Sequence, residues 1–246
     1  VSTLAQRSPG QTTTSRPFME LRCLGGFRLS VRGQPVDCTA VKPRTRTALR
    51  LLAMRAGRPV HRETLIEALW PGSPPVTATH NLHVTLSSLR RLLGTGPGEL
   101  VRDGDAYELV LPAGGYSDVV TFTAAIETAH QARLNGDQGT LVVALRAALD
   151  AYAGELLPED GPAEWVVTER EALRRRAAAA AVELARVAHR RGDLAEVATA
   201  AGQCVEIDMY CDAGWRLLIE GRTALGDLAA AGRARQRYAA VLATLR

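Results

Sequence analysis

The sequence predicts a mainly α-helical protein in two parts: a winged helix-turn-helix with small β-sheets, then an all-α, tetratricopeptide-like helical repeat domain. Three observations predict it. Residues 61–93 read as helix, Pro/Gly/Ser turn and longer helix, the outline of a helix-turn-helix. Gly192-Asp193-Leu194 recurs as Gly226-Asp227-Leu228, a separation of 34 residues, which is the tetratricopeptide period. The charge is divided: residues 1–115 hold 15 Arg/Lys against 8 Asp/Glu, and residues 116–246 hold 15 against 18. A basic half suits a polyanion partner, and an acidic half does not.

With 246 residues, 46% of them hydrophobic, the chain can bury a core and fill one or two domains. It has no apolar run of roughly 18 residues and no signal-peptide apolar region, so a soluble, cytoplasmic and nucleoid-associated protein is expected, with no membrane partner. Cysteines at 23, 38, 204 and 211 form neither a CxxC pair nor a disulfide framework, and read as buried reduced thiols.

Residues 1–17 are polar and without periodicity, and predict a disordered leader. Residues 18–113 form the predicted DNA-binding domain. It opens with alternating apolar positions, Leu21, Cys23, Phe27, Leu29 and Val31, punctuated by Gly25-Gly26 and Arg32-Gly33, which predict a small antiparallel sheet. After Lys42-Pro43-Arg44 a helix is expected, with Leu49, Leu52, Ala53 and Ala56 on one face and Gly57 as its stop. Arg44 and Arg46 at its start oppose the helix dipole, which a phosphate partner would relieve.

The first helix of the motif carries Leu65, Ile66, Leu69 and Trp70 as its apolar stripe, with Trp70 read as a core residue, and Pro71-Gly72 ends it. The second, from about Thr77 to Leu93, turns Leu82, Leu86, Leu89 and Leu93 inward. Its opposite arc holds His80, Val84, Ser87 and Arg91, flanked by Asn81, His83, Ser88 and Arg90, with no acid between Val76 and Gly94. Arginine can bind guanine bidentately and Val84 can meet a thymine methyl, so His80, His83, Val84, Ser87, Arg90 and Arg91 are the candidate base readers. Residues 94–98 read as a loop. A hairpin around Asp103-Gly104 follows as the wing. Candidate phosphate or wing contacts are Arg44, Arg46, Thr79, Asn81, Ser88 and Arg102.

Pro112-Ala113-Gly114-Gly115 marks a boundary, and residues 116–246 are the second domain, read as helical throughout. Helices are expected over 118–134, 140–152, 163–191, 196–207 and 229–245, separated by Asn135-Gly136-Asp137, by the 154–161 loop and by the two Gly-Asp-Leu turns. Glu159 and Asp160 read as a solvated turn. Glu169, Arg170, Glu171 and Arg174 to Arg176 read as a mixed-charge surface face. No catalytic motif stands out: GxSxG, HExxH, CxxC, an EF-hand loop and Walker A are all absent, and His80 with His83 lacks further metal ligands. An enzyme is not expected, and no cofactor or metal is implied.

These residues together resemble the Streptomyces antibiotic regulatory protein family, which joins an OmpR-type winged helix to a bacterial transcriptional activation domain. The likeness rests on LGGFRLSVRGQPV, LIEALWPGSPP, NLHVTLSSLRRLLG, AYAGELLPEDG and EWVVTEREALRRR, and runs from Leu21 to the end of the chain. It implies an activator that binds promoter direct repeats near the −35 element as a side-by-side pair of protomers. It further implies recruitment of RNA polymerase holoenzyme, including its sigma factor, to antibiotic biosynthesis genes, without a phosphorylated receiver domain. The chain departs from the family at His61, a poorer helix cap than serine, and at Ala106, where a glycine is usual before the wing tyrosine. Two alternatives stay open: an interaction scaffold with a degenerate winged helix, and a regulator that responds to a small ligand.

Overall fold

The protein is described here from a computed structural model, which covers residues 18–94 and 99–245. The expected leader and most of the 94–98 loop lie outside those residues. Three short strands open the chain: β1 (Met19–Arg22), β2 (Arg28–Val31) and β3 (Gln34–Pro35), paired antiparallel as the alternation predicts. Met19 and Leu21 point inward while Glu20 and Arg22 stay half-exposed, the period of two that a one-sided sheet requires. Helix α1 (Pro43–Met54) starts with proline at its first position, where the ring's fixed φ suits a helix and no N–H is missed. Then come β4 (Val60–His61), α2 (Arg62–Leu69), α3 (Pro75–Leu93), β5 (Glu99–Asp103) and β6 (Ala106–Val110), with the last two forming a hairpin in a three-stranded sheet ordered β4-β6-β5. This is a winged helix-turn-helix.

The region after Pro112 departs from an all-helical reading. Tyr116–Ser117 form β7, which joins the first sheet in parallel beside β1, so that sheet runs β3-β2-β1-β7. Six helices follow in three antiparallel pairs: α4 (Asp118–Leu134) with α5 (Gln138–Ala151), α6 (Glu164–Arg190) with α7 (Leu194–Ile207), and α8 (Asp212–Ala224) with α9 (Leu228–Ala243). Alanine makes the close packing possible. Ala177, Ala181, Ala185 and Ala188 of α6 and Ala198, Ala200 and Ala201 of α7 are all buried. Gly214 and Gly221 bring α8 equally close to α7: a Cβ on Gly214 would stand 2.6 Å from Cys204 Sγ, and one on Gly221 2.9 Å from Val197 Cγ1.

A single buried cluster joins the two parts. Met19, Leu21, Leu24, Leu49 and Leu52 share it with Phe122, Tyr152, Leu156, Leu157, Val166 and Leu173. Polar contacts line the same junction. The carboxylate of Asp118, 1% exposed, accepts the backbone N–H groups of Cys23 and Leu24, each at 2.8 Å. Leu157 N–H donates to Cys23 O at 2.9 Å, Gly25 N–H to Glu155 O at 2.9 Å, and Leu24 bridges Leu156. Arg50 of α1 pairs with Asp160 at 2.7 Å, and Arg55 with Glu169 at 3.2 Å.

Two readings of single residues change accordingly. Asp160 is not a solvated turn residue: its side chain is 7% exposed, and it rises in pKa because burial disfavours the carboxylate more than Arg50 favours it. Arg170 is not on a surface face. It is 8% exposed and donates to Leu156 O, Leu157 O and Gly161 O at 2.7–2.8 Å, with Glu155 at 3.1 Å. Among the thiols, Cys23 and Cys204 are buried, whereas Cys38 and Cys211 are only partly so.

Candidate nucleic-acid interface

Helix α3 is held by its inner face. Ala78, Leu82, Thr85, Leu86 and Leu89 are buried, and Leu93, expected inside, is only half-buried where the helix leaves the core. The outward face then follows from the 100° step per residue. His80, His83, Val84, Ser87, Arg90 and Arg91 are all exposed, as one strip along the helix, and Val84 is 50% exposed. The basic residues near the C-terminal end, Arg90 and Arg91, complement the helix dipole there.

The helix begins two residues earlier than expected, at Pro75, and that turn adds two residues to the strip. Val76 is 84% exposed and Thr77 is exposed, one turn before His80. Pro74-Pro75 carried the signal, since proline is favoured at the first helical position. No side chain caps this end and no acid lies in its first turn, so its backbone donors remain available to an anion.

Within the strip the side chains differ in what already holds them. Arg91 rests on Ser88 Oγ at 3.3 Å, and Ser88 donates to Val84 O at 3.0 Å, so Ser88 is half-buried and engaged with its own helix. Arg90 reaches back to Leu100 O of β5 at 3.5 Å and links α3 to the wing. His80, His83 and Ser87 have no side-chain partner among the described residues. Thr79 and Asn81 are half-buried on the flank.

The proposed phosphate contacts are spread over three places. At the wing, the register pairs Asp103 with Ala106, so the turn is Gly104-Asp105, one residue later than the sequence suggested. Arg102 donates to Gly104 O at 2.9 Å and lies over the Tyr107 ring, flanked by exposed Asp103 and Asp105. Ala106 sits in β6 opposite His61 without disrupting the pairing. Arg46 is tied to Thr39 O and Val41 O, at 3.3 and 3.4 Å. Arg44 lies exposed in a cleft that it shares with Glu63, Glu67, Asp160 and Glu164. His61 does cap α2, its Nδ1 accepting from Glu63 N–H, although at 3.4 Å the bond is long.

No group of three or more metal-ligating side chains occurs among the described residues, and none of their helices is long and apolar enough to cross a membrane.

Comparison with known proteins agrees with this architecture. Residues 117–245 match the family described as bacterial transcriptional activator domain, and residues 34–102 match transcriptional regulatory protein, C terminal. The transcriptional regulatory protein MoaR1 of Mycobacterium tuberculosis is 26% identical over 155 residues, 61% of this chain and 49% of that protein. The regulatory protein AfsR of Streptomyces coelicolor is 34% identical over 167 residues, 67% of this chain but 16% of AfsR. A solved structure of Mycobacterium tuberculosis EmbR, in complex with a low-affinity phosphopeptide, superposes with a TM-score of 0.71 at 25% identity, covering 93% of this chain and 61% of that one. The chain thus spans half or less of the first two relatives.

Proposed function

The chain belongs to the Streptomyces antibiotic regulatory protein family of transcriptional regulators, and from that premise we propose that it activates transcription by holding promoter DNA on the outer face of α3. One observation supports this reading above the rest: an exposed helical strip of hydrogen-bonding and basic side chains, two turns of it beyond the first, without a single acid from Val76 to Gly94. A solvated helix face ordinarily mixes its signs, and this one does not. Arg91, Ser87, His83, His80 and Val84 are the base-reading candidates, with Val76 and Thr77 added at the helix start. Arg90 stands at the edge of this set, because its bond to Leu100 O makes it a brace for the wing as much as a reader.

On this reading the partners are double-stranded promoter DNA with tandem direct repeats, a second protomer beside the first, and RNA polymerase holoenzyme on the helical domain. The protein works inside the cytoplasm, on the nucleoid, and carries no catalytic step. Footprinting on the genomic neighbourhood of its gene, with and without polymerase, tests operator and recruitment together. Arg91→Ala is expected to cost about 1–3 kcal/mol on the protected site and to relax its selectivity, with little change on random duplex. Equal loss on both duplexes removes Arg91 from the readers. Affinity must also fall steeply with salt; a chain with no duplex affinity at low salt is a protein-interaction scaffold instead.

A further inference from the structure

The wing turn carries charges of opposing use. Gly104-Asp105 joins β5 to β6, and Asp103 and Asp105 are both exposed there beside Arg102, the wing's candidate phosphate contact. Two carboxylates at the tip of a DNA-facing hairpin repel the phosphates that the arginine would meet. They also compete with phosphate for the guanidinium itself, since both are bidentate oxyanion acceptors. Arg102 is within easy reach of them: its Nε donates to Gly104 O at 2.9 Å, across the same turn. Yet no ion pair joins Arg102 to either aspartate among the described residues. It lies over the Tyr107 ring, 5.9 Å from the centroid, and its Nη groups have no hydrogen-bond partner among those residues.

One of the two carboxylates is already taken. Arg62, the first residue of α2, meets the turn twice: its backbone N–H donates to Asp105 O at 2.7 Å, and its Nη1 lies 3.2 Å from Asp105 Oδ1. Beside it β4 pairs with β6, His61 opposite Ala106, so the start of α2 and the wing share one edge. The side chains of Arg62 and Asp105 are 42% and 51% exposed, and a pair that wet adds little to stability. Its consequence lies in where the charges go.

We propose that Arg62 is a positioning residue for DNA binding that acts through Asp105: it holds and neutralises that carboxylate, so that Arg102 stays available to a phosphate. The inference rests on the reading of α3 and the wing as a DNA surface. Without the Arg62 guanidinium, the Asp105 carboxylate turns to Arg102, and the wing loses a cation. It does not lose its shape, because the backbone bond from residue 62 to Asp105 O survives a change of side chain. Arg62 itself touches no phosphate on this assignment.

Affinity of the full chain for a random-sequence duplex, measured as a function of salt, tests it, because a phosphate contact is blind to sequence. Arg62→Gln is expected to weaken binding about fivefold and to flatten the slope of log K against log salt by about 0.9, the share of one phosphate contact, with Tm unchanged. Arg62→Lys keeps the charge at a single-contact pair and should bind within about twofold of wild type. Asp105→Asn in the Arg62→Gln background should restore both affinity and slope, and Arg62→Gln should flatten the slope no further in an Arg102→Gln background. A merely structural role gives neither the rescue nor the dependence on Arg102. Arg62→Gln indistinguishable from wild type overturns the proposal. So does a loss that Asp105→Asn leaves in place, because Arg62 then meets phosphate directly, and so does an equal loss in the Arg102→Gln background, which is an effect of net charge alone. A wild type without duplex affinity at low salt overturns the DNA reading and this inference with it, and needs no variant to be seen.

Discussion

A guanidinium carries five N–H donors, and one taken out of water must find acceptors for them. Arg170 does so with three backbone carbonyls of the 156–161 loop and the carboxylate of Glu155. That loop is the one whose Leu157 N–H and Glu155 O bond the strand end at Cys23 and Gly25, so a single side chain shapes the activator side of the junction. Arg170→Leu is expected to destabilise the protein by about 3–5 kcal/mol in urea unfolding, because the carbonyls stay buried without donors. Arg170→Lys should recover little, since an ammonium cannot reach three carbonyls in the same plane. A loss below about 1 kcal/mol would show that water replaces the arginine. The position was legible after all: Val166, Arg170, Leu173 and Ala177 share one helical stripe, and the other three are apolar. The surrounding run of mixed charges conceals it, because an arginine among Glu169, Glu171 and Arg174 to Arg176 has the sign pattern of a solvated face even where its spacing is that of the buried stripe. On α3, period and sign agree, and the exposed face was readable. Arg90's bond to the wing was not, since it depends on where β5 passes.

At the scale of elements, the three helix pairs of the activator domain turn on the same device. Gly136, Gly192 and Gly226 adopt φ of 70°, 73° and 78°, and the following aspartate caps the next helix. Asp137 accepts from Thr140 N–H, Asp193 from Glu196 N–H and Asp227 from Ala230 N–H, each at 3.0–3.1 Å. The Gly-Asp-Leu repeat marks two of these turns, and the first, expected as a break at Asn135-Gly136-Asp137, falls outside the repeat because its third residue is Gln138 and its spacing is longer. Asp193→Ala should cost about 1 kcal/mol, the usual worth of a lost N-cap. At Asp137 the hydrogen bond from the Thr140 hydroxyl, then that from its backbone N–H, holds the carboxyl below its ordinary 3.8. A depressed folded pKa means that its contribution is complete above pH 3.8 and disappears as pH falls through the lower folded value. Asparagine caps nearly as well and does not titrate there. The melting difference between wild type and Asp137→Asn, followed by circular dichroism, should therefore shift against the wild type below pH 3.8 and stay constant from pH 5 to 7. A difference that does not change with pH would assign the cap no titrating role.

At the scale of the molecule, the division into a basic and an acidic half is a division of charge more than of structure. The boundary at 112–115 is real as a change of composition, yet β7 crosses it to pair with β1, and one buried cluster lies on both sides. Sequence periodicity could not announce this, because its determinants are paired over long separations: the N–H groups of Cys23 and Leu24 are answered by Asp118, 94–95 residues later. Burial pushes the Asp118 carboxyl up while these N–H groups pull it down, the usual balance for a carboxylate serving as an internal acceptor. The α3 strip and the helical domain are therefore expected to move as one body, and calorimetry should show one transition with equal calorimetric and van't Hoff enthalpies. Asp118→Ala leaves two buried donors unpaired, at about 1–3 kcal/mol each. It should lower the midpoint and speed amide exchange in residues 19–24 and 153–161 together, while α7 to α9 keep their protection. Two resolved transitions in the wild type, or faster exchange in only one of those segments of the variant, would mean that the halves are joined by the chain alone. A protein built that way could place its helical surface anywhere within reach of a linker, whereas the coupled one fixes it relative to the α3 strip.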